Sequence, residues 1–112
     1  MRSMQQQILA FLQQEEGYIT FNELIEAIPH AAGDIDLLNA ELNIVLWKGV
    51  SDAFLSAFNH LMDEKLIELK GCDASLYHLY GSWLDLPIAT ERKMYTAPHW
   101  LPVLILPVKR LS

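Results

Sequence analysis

The sequence predicts one α+β domain, with three helices, a β-hairpin directly after the third, and an extended C-terminal segment. Three observations carry this expectation. Thr20 and Ser51 each open an amphipathic stretch, and both residue types cap helix N-termini. Residues 67 to 70 alternate apolar and charged, the period of a half-buried strand. Near the end, Pro102 and Pro107 bracket the apolar run Val103 to Leu106, which argues for an extended edge strand and against a helix.

The first helix is expected from Met4 to about Gln14. Met4, Ile8, Phe11 and Leu12 share one face at helical spacing, with Leu9 beside them, and Gly17 stops the run. The second runs from Thr20 to about Ile28. Thr20 and Glu23 form a capping box in which each side chain reaches the other's backbone amide, and Pro29 ends the helix by favouring an extended Ile28. Ile19 and Leu24 stand at the spacing of a hydrophobic staple.

Residues 30 to 43 carry turn-formers at Gly33, Asp34 and Asp36. Leu37 to Leu42 then reads as one or two helical turns with Asp36 as cap. Ile44 to Trp47 is a short apolar run that suits a strand, and Gly49 lets the chain turn.

Residues 51 to 80 organise the rest. Ser51 caps a helix that ends near Lys65, with Phe54, Ala57, Phe58 and Leu61 facing inward and Asp52, Ser56, Asn59 and Asp63 outward. Two strands are expected next, Leu66 to Lys70 and Leu76 to Tyr80, joined by a turn at Gly71 to Ser75. Beyond Gly81 the pattern is a loop until the proline-flanked segment.

At 112 residues and 52 % apolar composition the chain can bury one core, so one ordered domain is expected. The domain therefore spans 1 to 112, with a body over 4 to 80 and an extension over 81 to 112. One cysteine, Cys72, allows no internal disulfide and fits a reducing compartment. The N-terminal stretch lacks the apolar run and cleavage site of a signal peptide, and no apolar run approaches the ~20 residues of a membrane span. The expected location is the cytoplasm, with no membrane partner.

Charge is unevenly spread. Residues 1 to 91 hold 14 acids and four bases, a balance of −10, whereas residues 92 to 112 hold four bases and no acid, a balance of +4. An acidic body is a poor match to a phosphate backbone.

The order of elements over residues 4 to 80 resembles the winged helix-turn-helix, a fold used to bind DNA and to bind proteins. The resemblance lies in element order alone. It implies that the third helix is the recognition helix, presenting Asp52, Ser56, Asn59 and Asp63, and that the hairpin tip with Lys70 and Asp73 is the wing. Of those four, Asn59 suits a base edge, while Asp52 and Asp63 are repelled by phosphates. The long connection between the second and third helices is a further departure from a compact helix-turn-helix.

Chemistry is sparse. His30, His60, His78 and His99 form no metal-ligand spacing, and Cys72 sits beside Asp73, which raises a thiol's pKa. No nucleophile elbow, phosphate loop or paired-carboxylate pattern is present, so no catalytic residue, cofactor or metal is expected. What remains is a set of aromatics, Trp47, Trp83, Trp100, Tyr77, Tyr80 and Tyr95, which either fill the core around the hairpin or line an interface.

The expected function is therefore a non-enzymatic protein-interaction module that binds a protein partner or itself. Its candidate interface is the tail, Trp100, Val103, Leu104, Ile105 and Leu106, packed on its own domain or across a homodimer, with the dimer preferred. A DNA-binding regulator is the alternative and is disfavoured by the acidic face; a small-molecule sensor is a third reading.

Overall fold

A computed structural model describes residues 2 to 15 and 18 to 108. Among these residues the chain forms four helices and five strands in an α+β arrangement: α1 (Met4–Glu15), α2 (Phe21–Ala27), β1 (Ala32–Asn39), β2 (Ile44–Val50), α3 (Asp52–Asp63), β3 (Ile67–Gly71), α4 (Ser75–Leu79), β4 (His99–Trp100) and β5 (Val103–Pro107). The expected stop at Gly17 lies outside the described residues.

The locally encoded elements stand where the sequence places them. Ile8 and Leu12 of α1 are fully buried. Thr20 caps α2 with both halves of the capping box formed. Ser51 caps α3 by accepting from the Phe54 N–H at 3.1 Å, and its own hydroxyl donates to the His30 carbonyl at 2.7 Å. Phe54, Ala57, Phe58 and Leu61 are all buried. The end of α3 is a Schellman motif: Leu66 N–H reaches Leu61 O and Lys65 N–H reaches Met62 O, with Lys65 in the left-handed region at φ 59°. This reversal aims the chain directly into β3.

Three expectations are corrected. Residues 32 to 39 are a strand, not a turn followed by helix. β1 pairs antiparallel with β2 through an irregular, bulged register, and the hairpin turns at residues 40 to 43 with Asn43 at φ 56°. Leu37 is fully inside and Ile35 half-buried; the two alternate with Asp34 and Asp36, a period-2 run only four residues long and set among turn-forming residue types. Gly33 serves close approach, not a turn: a Cβ there would lie 2.6 Å from Ser51 Cα and from Val50 O.

Second, no hairpin follows α3. Residues 75 to 79 are helical, and the partner of β3 is β5, antiparallel from Ile67↔Pro107 to Gly71↔Val103. The Asp73 carboxylate accepts from the Ser75 N–H at 2.9 Å and starts the turn of α4. Tyr77 then fixes that helix from within: its buried hydroxyl donates to the Val103 carbonyl and accepts from the Phe21 N–H at 3.2 Å. The winged-helix expectation loses its wing here.

Third, the tail is not an outer edge. β4 pairs in parallel with β2, giving a sheet of order β1-β2-β4, and Trp100 is also hydrogen-bonded to Pro87 and Ala89. β5 has β3 on one side and Ile19 on the other, where Ile105 and Ile19 exchange both backbone bonds. The segment beyond residue 81 is thus built into the core. Trp100 packs 5.1 Å from Tyr77, edge to face, and 6.2 Å from Trp47, joining a cluster with Phe21 and Phe58.

Candidate interaction surface

The tail residues divide by strand alternation. Trp100, Val103 and Ile105 are at most 2 % exposed inside their own domain, while Leu104 and Leu106 are half-buried on the opposite face. Three of the five candidate interface residues are therefore core residues. With both neighbours of β5 filled, the tail has no backbone left to offer a partner strand. The flanking Lys109 and Arg110 lie outside the described residues.

The free edge belongs to β3 instead. The bonds Val108 N–H to Leu66 O and Cys72 N–H to Pro102 O fix the ladder, so Glu68 and Lys70 direct their backbone groups at β5. By alternation Ile67, Leu69 and Gly71 direct theirs away from it, and none of these groups has a backbone partner on that side among the described residues. Ile67 is 3 % exposed, so its outward groups are enclosed by the fold, and the two N–H and two C=O groups of Leu69 and Gly71 are those open to another chain. Such an edge is a template for another chain.

A cleft of about 450 Å³ borders this strand. Leu42, Ile44 and Leu46 line it from the β1–β2 hairpin and β2, Met62 from α3, and Ile67 and Leu69 from β3; its polar lining is Asn39, Glu68 and Arg92. Ile44 and Leu46 stand on the face of β2 opposite Trp47. β2 therefore contributes to the aromatic core on one side and to the cleft on the other. The sequence reading of Ile44 to Trp47 as one apolar run held no sign of that division. On the outer face of the β3–β5 pair, Glu68 and Lys70 are exposed, and the Lys70 ammonium lies 5.1 Å over the Tyr18 ring.

The third helix presents the surface expected of it. Asp52, Ser56, Asn59 and Asp63 are all exposed. Nothing beside them adds base-reading or phosphate-binding capacity, because the wing is absent and the nearby bases Lys65 and Lys70 are offset by Glu64, Glu68 and Asp73.

The aromatics also divide. Trp47, Tyr77 and Trp100 are core. Tyr80 and Trp83 are exposed, along with Leu79 at 80 %, and the His78 ring stacks on Trp83 at 4.5 Å. Tyr95 is half-buried: its hydroxyl accepts from the Thr90 and Glu91 N–H groups and donates to Glu91 O, and its ring stacks 4.0 Å from His99. The Cys72 thiol is pushed up chiefly by burial and then by the neighbouring Asp73 carboxylate, so it is a poor nucleophile at neutral pH. Burial likewise holds the Tyr77 phenol well above its ordinary range. Among the described residues no group of three or more His, Cys, Asp or Glu side chains is placed to hold a metal, and no helix is long and apolar enough to cross a membrane. No protein-family model, curated protein or solved structure matches the chain.

Proposed function

We propose that this chain is a non-enzymatic protein-interaction module that recognises an extended protein segment by strand addition at β3. One observation carries the reading: the outward N–H and C=O groups of Leu69 and Gly71 have no backbone partner among the described residues and stand beside an apolar cleft. Main-chain hydrogen bonds to such an edge supply affinity, and adjoining apolar pockets supply selectivity for alternate side chains. Cys72, the single cysteine, fits a reducing compartment, and the cytoplasm is the location this reading assigns. DNA binding is not favoured by any feature of α3, whose outward face is acidic at both ends.

The test is titration of isotope-labelled protein with synthetic strand peptides of alternating apolar and charged residues, followed by amide shifts. Shifts concentrated at residues 67 to 71 and 42 to 46 support the reading. No shift with any peptide, together with a monomeric mass at every concentration, removes it.

A further inference from the structure

The open stretch of β3 is short, Leu69 to Gly71, and each of its residues offers a different element of recognition. Leu69 and Gly71 carry the outward backbone groups, while Lys70 between them directs its own at β5. Ile67 is enclosed at 3 % exposure, so an added strand stops before it. A strand laid antiparallel on this stretch exchanges both backbone bonds with Leu69 and both with Gly71. Lys70 then stands in a non-hydrogen-bonded pair, the kind in which facing side chains approach most closely.

Alternation sends the side chains opposite Leu69 and Gly71 to the cleft face and the one opposite Lys70 to the outer face. The cleft face is hollow at Gly71, where a Cβ would meet nothing within 4 Å. The cleft it borders is lined by Val103, its neighbour on β5, and by Leu101, Ile44 and Leu42. A glycine at a sheet edge is covered well by an aromatic ring on the facing strand. Such a ring opposite Gly71 enters an apolar space of about 450 Å³.

On the outer face Lys70 is the single charge of the open stretch, and its ammonium has no carboxylate partner among the described residues. It lies over the Tyr18 ring, a contact that leaves the charge unneutralised, and its flexible stem lets it swing to a carboxylate across the strand. Glu68, the other charge on that face of β3, stands beside the enclosed Ile67, past the end of an added strand.

We infer that the segment recognised at β3 reads, from N to C, aromatic, acidic, apolar, laid antiparallel so that the ring covers Gly71 and the carboxylate pairs with Lys70. The inference rests on the strand-addition reading and names the chemistry of its partner.

Amide-shift titration of the wild type, Gly71→Val and Lys70→Glu tests it with three synthetic peptides of equal length and net charge. The reference peptide carries Phe-Glu-Val at its centre and a lysine near one end. The second has Ala in place of Phe, and the third exchanges Glu with Lys. The wild type should bind the reference about tenfold more tightly than the Ala peptide. It should bind it about threefold more tightly than the exchanged peptide at low salt. Gly71→Val fills the hollow from the protein's side, at a residue without positive φ and with open space around it. It should cut the aromatic preference to within about threefold with an unchanged circular dichroism spectrum. Lys70→Glu should invert the charge preference, an outcome that general loss of folding cannot produce. An aromatic preference that survives Gly71→Val, a charge preference that survives Lys70→Glu, or the absence of either preference in the wild type overturns the inference. Shifts at Leu69 and Gly71 that persist in those cases leave the strand-addition reading standing. The same shifts on concentrating the wild type alone would make a second copy the occupant and also overturn it. No shift with any peptide, in a protein that stays monomeric, removes both.

Discussion

The Tyr77 hydroxyl ties three parts of the chain that are remote in sequence, and Tyr77→Phe removes it with almost no change of volume. The hydroxyl donates to Val103 O of β5 and accepts from Phe21 N–H at the start of α2, with Tyr77 fully buried. Its loss leaves one buried carbonyl and one buried amide without partners. Each such group costs about 1–3 kcal/mol, so the variant should lose about 2–6 kcal/mol in all. That is a large share of the ~5–15 kcal/mol that holds a domain together. Urea unfolding checks it: the midpoint should fall with the slope unchanged, because the same surface is exposed on unfolding. A loss below about 0.5 kcal/mol would refute the bridging role. The same residue governs alkaline stability. The phenol of the unfolded chain titrates near pH 10.0, while burial keeps the folded one protonated well above that. The folded state thus holds a proton that the unfolded state releases. Stability is fully present below pH 10 and declines as pH rises past it, and Tyr77→Phe should flatten that decline.

Other outcomes are as definite. Gly33→Ala would drive a Cβ to 2.6 Å from backbone atoms of Val50 and Ser51, where no side chain can yield, and should cost about 1–3 kcal/mol in a thermal melt. Lys65→Gly relieves a left-handed residue at φ 59° and should stabilise by about 1 kcal/mol; a destabilised variant would mean that the Lys65 side chain contributes more than its backbone costs. Duplex DNA should bind more weakly than about 10⁻⁶ M at physiological salt, and a specific site held near 10⁻⁸ M in a gel shift would contradict the acidic reading of α3.

What could be read from the sequence was what neighbouring residues decide among themselves. Thr20 with Glu23 and Ser51 with Asp52 mark helix starts because a cap bonds an amide two or three residues away. The strand character of Ile67 to Lys70 and of Val103 to Leu106 was legible for the same reason. Their pairing with each other was not, since nothing local links residues so far apart. Adjacent strands usually pair as hairpins, so the turn-formers Gly71 and Asp73 pointed to Leu76–Tyr80 as the partner. Tertiary burial of Tyr77 against Trp47 and Trp100 makes that segment a helix instead. β1 was missed because its Gly, Asp and Asn content is poor for strands, although Ile35 and Leu37 alternating with Asp34 and Asp36 carry a short period-2 signal. Of the two packings expected for the tail, Trp100, Val103 and Ile105 take the one inside their own domain. An apolar run flanked by prolines shows that a strand must be covered, but it does not show that the cover is Ile19 and β3 of its own chain. The edge left open by that arrangement could be found only once the ladder was known.

The open edge of β3 is tested most directly by amide hydrogen exchange along residues 67 to 71 with and without a bound strand peptide. In the free protein Glu68 and Lys70, bonded to β5, should exchange slowly, while Leu69 and Gly71 exchange fast. With the peptide bound those two should slow as well. Protection of Leu69 already present in the free monomer, or fast exchange of both with every strand peptide, would contradict the edge as an association surface.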